Sequence, residues 1–210
     1  MDPMLTTITQ NLRQLPVQAA QPEGGDEREA AVLLALTEEP SSQLILTRRA
    51  RHLNDHAGEV ALPGGMWEPQ DGSLLDTALR ESHEEIGLPP NDVKLFATLP
   101  PRDTRLGVRV TPFVGRIAAD AKLIPELAEL DAIFRVPLEY LLDTNNLTRA
   151  TFDINGKDYS LPCYQYQEYT IWGFTLALLV EFLNCSLHAG IRLKYPAIKN
   201  FPQTWPEHSS

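Results

Sequence analysis

The stretch that decides the fold reads Pro63-Gly64-Gly65, then Asp71, then Arg80-Glu81-Ser82-His83-Glu84-Glu85-Ile86-Gly87-Leu88. It joins a tight glycine turn to an acidic helix. Leu74, Leu75, Ala78, Leu79 and Ile86 recur at the spacing of one helical face. This predicts a helix over about residues 73–86, stopped by Gly87 and the Pro89-Pro90 pair. Glu81, Glu84 and Glu85 stand at i, i+3 and i+4, so their carboxylates share one side of it. Carboxylates roughly 6 Å apart repel one another unless something positive lies between them. A hard divalent cation is the natural counter-charge, because Mg²⁺ prefers carboxylate oxygens and keeps waters for a phosphate substrate. Arg80 is spaced to pair with Glu84 at i+4 and hold it in one rotamer. Glu84 and Glu85 also fall in the C-terminal half of the helix, where the macrodipole disfavours negative charge. A sequence that keeps charges there is expected to use them rather than merely solvate them.

This stretch closely resembles the Nudix box, whose second half reads R-E-U-x-E-E-x-G-U with U aliphatic. Arg80-Glu81, Glu84-Glu85, Gly87 and Leu88 fall on that pattern, with Ser82 in one aliphatic place. Gly65 matches the leading glycine and Asp71 takes the place of the first glutamate; the segment to Arg80 is one residue longer than the standard form. The longer loop resembles the coenzyme A diphosphatase branch. So does the upstream run Ile45-Leu46-Thr47-Arg48-Arg49-Ala50-Arg51-His52-Leu53-Asn54-Asp55-His56-Ala57-Gly58 through Pro63-Gly64-Gly65. Leu46, Thr47, Gly58 and Pro63-Gly64-Gly65 match the additional motif of that branch; Asn54 occupies its arginine position and Leu62 replaces its phenylalanine. Arg109-Val110-Thr111-Pro112-Phe113-Val114-Gly115 and Ile171-Trp172-Gly173-Phe174-Thr175 resemble a strand and a helix start of the same branch. The likeness runs from about residue 30 to 185.

The resemblance implies a metal-dependent hydrolase that cleaves a diphosphate linkage, with Mg²⁺ or Mn²⁺ as cofactor and Glu81, Glu84 and Glu85 as metal ligands. Such a linkage is a poor electrophile because its oxygens are negative. A divalent cation neutralises them and acidifies water, and a carboxylate must accept the proton. The family does not place that base consistently. Glu129 is the expected contributor from outside the helix, because Glu129-Leu130-Asp131 through Val136-Pro137-Leu138 resembles a further branch segment. Arg80, Glu129 and the three helix glutamates form the expected catalytic set. Arg49, Arg51, His56, Gly64 and Gly65 are the expected substrate-binding residues, the arginines standing in for the cation absent at Asn54. The favoured substrate is coenzyme A or an acyl derivative, giving phosphopantetheine and adenosine 3′,5′-bisphosphate. Other readings stay open: another diphosphate such as NADH or ADP-ribose, or a non-catalytic ligand-binding module on the same fold.

Composition narrows the setting. A chain of 210 residues, 43% hydrophobic, is enough for one domain with a sizeable core. The longest apolar run, residues 171–183, is too short for a membrane span and ends near Glu181. No basic-then-apolar signal precedes it. Cys163 and Cys185 make neither a disulfide framework nor a metal knuckle, so a reduced, cytoplasmic protein is expected. The net charge of −10, with no Lys/Arg cluster, argues against nucleic acid and anionic lipid as partners. It would also repel a phosphate substrate, so local charge inversion must come from a cation and a few placed arginines. A homodimer is expected from the family likeness alone.

Along the chain, residues 1–28 read as an N-terminal arm or cap with a short amphipathic helix at 5–12. Residues 29–195 form the hydrolase domain, and 196–210 an irregular tail. Strands are expected at 30–36, 43–47, 58–62, 93–99 and 108–117, and within 126–136. Residues 102–105 read as a charged loop and 137–142 as a short helix. A hairpin turns at Asn155-Gly156, and a last helix covers 171–188. The fold class is α/β: a Nudix-type α/β/α sandwich with a mixed central sheet and a catalytic helix.

Overall fold

The computed structural model describes residues 2–22, 28–154 and 156–196. Its centre is a mixed sheet. Strand β1 (Glu29–Glu38) pairs in parallel with β7 (Arg109–Ala118) over their whole length. Against β1 and its neighbours run β2 (Gln43–Arg49), β3 (Val60–Ala61), β4 (Gly64–Met66), β5 (Lys94–Thr98), β6 (Arg102–Asp103) and β8 (Leu130–Pro137), all antiparallel to their partners. The main path is β3-β2-β1-β7-β5. β1 is buried nearly throughout, as a strand covered on both faces must be.

Alternate residues of β1 and β2 feed two separate cores, the period-2 signature of a sheet between layers. Ala31, Leu33, Ala35 and Ile45 meet Leu74, Ala78 and Ile86 of α2 (Leu74–Ile86) on one face. Leu34, Leu36, Leu44 and Leu46 meet α1 (Pro3–Asn11) and α4 (Gly173–Leu187) on the other. In α1 and the 3-10 turn after it, Leu5, Ile8 and Leu12 are fully buried in that second core. Asp2 caps α1 by accepting from the Met4 N–H, and also accepts from the Ser42 N–H. This is the expected α/β sandwich with α2 on one face.

The structure differs from expectation in two places. Arg102-Asp103 is a short strand on β7 rather than a loop, because Arg102 is pinned to Glu181 of α4. Residues 171–172, expected to open the last helix, instead end β11 (Tyr169–Trp172). β11 joins β10 (Asp158–Tyr166) and β9 (Leu147–Asp153) in a separate antiparallel sheet. The aromatic and β-branched run Tyr169-Thr170-Ile171-Trp172 suits a strand, and Gly173, at φ 62°, makes the break to α4. The expected hairpin does join β9 to β10, with Asp153 opposite Asp158; Asn155, in its turn, lies outside the described residues, as does the tail from residue 197. A five-residue α3 (Leu138–Leu142) follows β8. Among the described residues no helix is long and apolar enough to cross a membrane.

Candidate active site

Helix α2 is fixed at both ends by its own sequence. Ser73 caps the N-terminus, its hydroxyl oxygen accepting from the Asp76 N–H at 3.2 Å. Gly87 closes the C-terminus at φ 66°, its N–H donating to the His83 carbonyl at 3.0 Å. The apolar stripe docks on β1, and the opposite edge of the helix faces the Gly64-Gly65 turn.

That turn explains why two glycines are needed. At Gly64, φ is 145°, and a Cβ there would collide with the Ala31 carbonyl oxygen and lie 2.6 Å from Val32 Cα. A Cβ on Gly65 would stand 2.5 Å from the Glu81 carboxyl carbon. Gly64 is thus held to glycine by backbone, while a side chain at Gly65 would push the Glu81 carboxylate out of its place. The Gly64 N–H donates to Glu85 Oε2 at 3.1 Å. Both glycines therefore lie against box glutamates.

Arg80 is the hub of the acidic face. Its Nε and Nη2 donate to Asp71 Oδ1 and Oδ2 at 2.8 and 3.0 Å. Its Nη1 donates to Glu81 Oε1 at 3.0 Å and to Glu84 Oε2 at 2.8 Å. The i+4 pairing read from sequence is present. The grip of Asp71 was not foreseen. Asp71 is buried and also accepts from the Thr77 hydroxyl and the Glu68 N–H. Burial pushes its carboxyl upward, but these donors outweigh burial and leave it below the usual carboxylate range. It stays ionised and orients Arg80. The only sequence signal for it was its place as the counterpart of the first box glutamate.

The glutamates are less well served. Glu85 is 4% exposed. Burial pushes its carboxyl up to about 7 against the hydrogen bond from the Gly64 N–H; the negative Glu81 and Glu129 add to the rise, and the Arg49 cation opposes it. Glu81 is also raised, first by burial and then by Glu84 and Glu129, with Arg80 opposing. Glu129, exposed on the loop before β8, thus reaches both electrostatically. Arg49 faces the same site, with its Nε buried and making no hydrogen bond. The structure brings Glu81, Glu84, Glu85, Arg80, Glu129, Arg49, Gly64 and Gly65 to one place. Arg51 and His56 lie away from the box glutamates: Arg51 Nε stands 3.9 Å from Asp131, and His56 Nδ1 lies 2.9 Å from Glu59.

An all-carboxylate donor set, with one carboxyl pushed to about 7 chiefly by burial, fits a hard divalent cation. As placed, no three His, Cys, Asp or Glu side chains among the described residues converge as ligands. Arg80 instead holds Glu81 and Glu84, so those side chains would have to turn to share a cation with Glu85.

Residues 27–152 match the NUDIX domain family. The chain belongs to the Nudix family. An uncharacterized Nudix hydrolase NudL of Enterobacter sp. (strain 638) is 38% identical over 156 residues, covering 74% of this chain and 81% of that protein. The NudL of Pectobacterium atrosepticum is 40% identical over 156 residues, covering 73% and 80% respectively. A crystal structure of a Nudix hydrolase from Alicyclobacillus acidocaldarius has a TM-score of 0.47 at 20% identity, covering 77% of this chain and 93% of that one. The protein is thus a Nudix hydrolase, an enzyme acting on nucleoside diphosphate derivatives. Helix α2 carries its Nudix box.

Proposed function

We propose that this Nudix hydrolase cleaves the diphosphate of coenzyme A or an acyl derivative, releasing phosphopantetheine and adenosine 3′,5′-bisphosphate, with Mg²⁺ or Mn²⁺ as cofactor. Glu81, Glu84 and Glu85 hold the cation. When bound, it screens the phosphate oxygens and acidifies water. The observation that carries the reading is the physical junction between the coenzyme A-like segment and the box. Segment 46–65 forms the end of β2, a loop, β3 and the glycine turn, and it delivers both Arg49 and the Gly64 N–H to Glu85.

The chain's own residues divide the work. Asp71 keeps Arg80 charged and in place, and Arg80 keeps Glu81 and Glu84 from splaying. The buried Nε–H of Arg49 donates to a diphosphate oxygen. Glu129 takes the proton of the attacking water and passes it to solvent. The water oxygen bonds to one phosphorus, the bridging P–O bond breaks, and two phosphate monoesters and one proton leave.

The test is a substrate panel with purified protein and Mg²⁺ or Mn²⁺: coenzyme A, acetyl-coenzyme A, NADH, ADP-ribose and ATP, with products separated by chromatography. Coenzyme A or its acyl form is expected to give the highest kcat/KM. A preference for NADH or ADP-ribose, which Asn54 in the motif's arginine position would favour, would overturn the substrate reading and leave the diphosphatase intact.

A further inference from the structure

β2 ends in two adjacent arginines that point to opposite faces of the sheet, and each has a buried Nε–H with no hydrogen-bond partner. Arg49 faces Glu85. Arg48 faces away from it, with its guanidinium 5.3 Å from the Tyr169 ring centre in β11. On that far side lies a cleft of about 310 Å³, lined among others by Arg48, Arg51, Glu59, Glu168, Tyr169 and Trp172. None of the box glutamates lines it. It is large enough for a small-molecule group.

Its chemistry is specific. Arg48 and Arg51 stand 3.7 and 3.9 Å from the same Asp131 oxygen, outside hydrogen-bond reach, so two guanidiniums share one carboxylate and both keep donors to give. Arg51 is 77% exposed on its side chain. The other acids are engaged: Glu59 by His56, and Glu168 by Tyr169. Trp172 stacks one ring face on Phe152 at 4.1 Å and lines the cleft. Val60, also in the lining, precedes Gly64 by four positions, so the cleft lies within about 14 Å of the glycine turn along an extended chain.

We infer that this cleft is a second subsite, which takes the phosphorylated nucleoside arm of the substrate: the base against Trp172 and a phosphomonoester on Arg48 and Arg51. This rests on the proposed coenzyme A reading. The substrate bridges the end of β2, its diphosphate on the Arg49 side and its phosphomonoester on the Arg48 side. The separation of Arg51 from the carboxylates follows: it serves the same substrate at its other end.

The experiment compares coenzyme A with dephospho-coenzyme A, which lacks only the phosphomonoester, in the full chain and in Arg51→Gln, with Trp172→Leu as a second variant. The native protein is expected to favour coenzyme A by about tenfold or more in kcat/KM, mostly through KM, the effect of hydrogen bonds to a charged group. Arg51→Gln should erase most of that ratio, and Trp172→Leu should raise KM for both substrates. A ratio unchanged in Arg51→Gln, in a protein that does hydrolyse coenzyme A, overturns the subsite and leaves the proposed function standing. Calorimetry with adenosine 3′,5′-bisphosphate against AMP decides the subsite without turnover. Tighter binding of the bisphosphate, lost in Arg51→Gln, supports it even if coenzyme A proves not to be the substrate; equal binding of the two overturns it.

Discussion

Two helices lie on opposite faces of the sheet, and each buries a glutamate, yet the two are served differently. Glu181 of α4, 8% exposed, receives two hydrogen bonds from Arg102, at 2.6 and 2.7 Å. Its counter-charge is built into the chain. Glu85 of α2, 4% exposed, receives one backbone N–H at 3.1 Å and faces two further carboxylates. Its nearest box arginine, Arg80, is spent on Asp71, Glu81 and Glu84. Burial alone therefore does not mark a functional carboxylate; burial short of counter-charge does. The first glutamate holds β6 to α4, and the second is the one we propose takes a cation from outside.

The contrast is sharpest in activity. Glu85→Gln should cut kcat by about 10³-fold or more in a steady-state assay at saturating metal, with circular dichroism unchanged. Stability should reverse the order of the two sites. Arg102→Ala strands Glu181 and should cost about 2–4 kcal/mol in urea unfolding, somewhat less than a fully buried pair because Arg102 is partly exposed. Glu85→Gln should instead stabilise the metal-free protein. The raised carboxyl means that the folded state holds more protons than the unfolded one between about 4.5 and 7. Stability is therefore lost as pH rises through that window, and the loss is complete above it. The gain from Glu85→Gln should be roughly 3 kcal/mol at about pH 8 and vanish near pH 4. A Gln variant no more stable than native at alkaline pH would erase the distinction drawn between the helices. The smallest effect is at the cap: Ser73→Ala should cost about 1 kcal/mol and leave the pH dependence alone.

The same contrast explains what the sequence made legible. Local, periodic features were readable: the stripe of α2, its Gly87 stop, the i+4 link from Arg80 to Glu84, and the need for glycine beside an acidic helix. Features set by tertiary neighbours were not. Residues 102–105 look like a charged loop until Arg102 meets Glu181, 79 positions away. Residues 171–172 look like the start of an apolar helix until β10 offers an edge and Gly173 turns the chain. The grip of Asp71 on Arg80 spans nine positions across a turn, which no helical spacing predicts. Arg51 and His56 are expected to bind substrate because they fall in the motif-like run; the fold sets Arg51 beside Asp131 and His56 beside Glu59, away from the box glutamates.

The central claim is that the α2 carboxylates hold a divalent cation, with Glu85 at the core of the site. Titration of Mn²⁺ into the native protein and into Glu85→Gln, by calorimetry in buffers of different ionisation enthalpy, tests it most directly. The account predicts saturable binding to the native protein with release of close to one proton at about pH 6 and almost none at about pH 8, because Glu85 titrates near 7. It predicts that Glu85→Gln loses both the affinity and the proton release. Equal Mn²⁺ affinity in the two proteins, or proton release that does not change with pH, would contradict it.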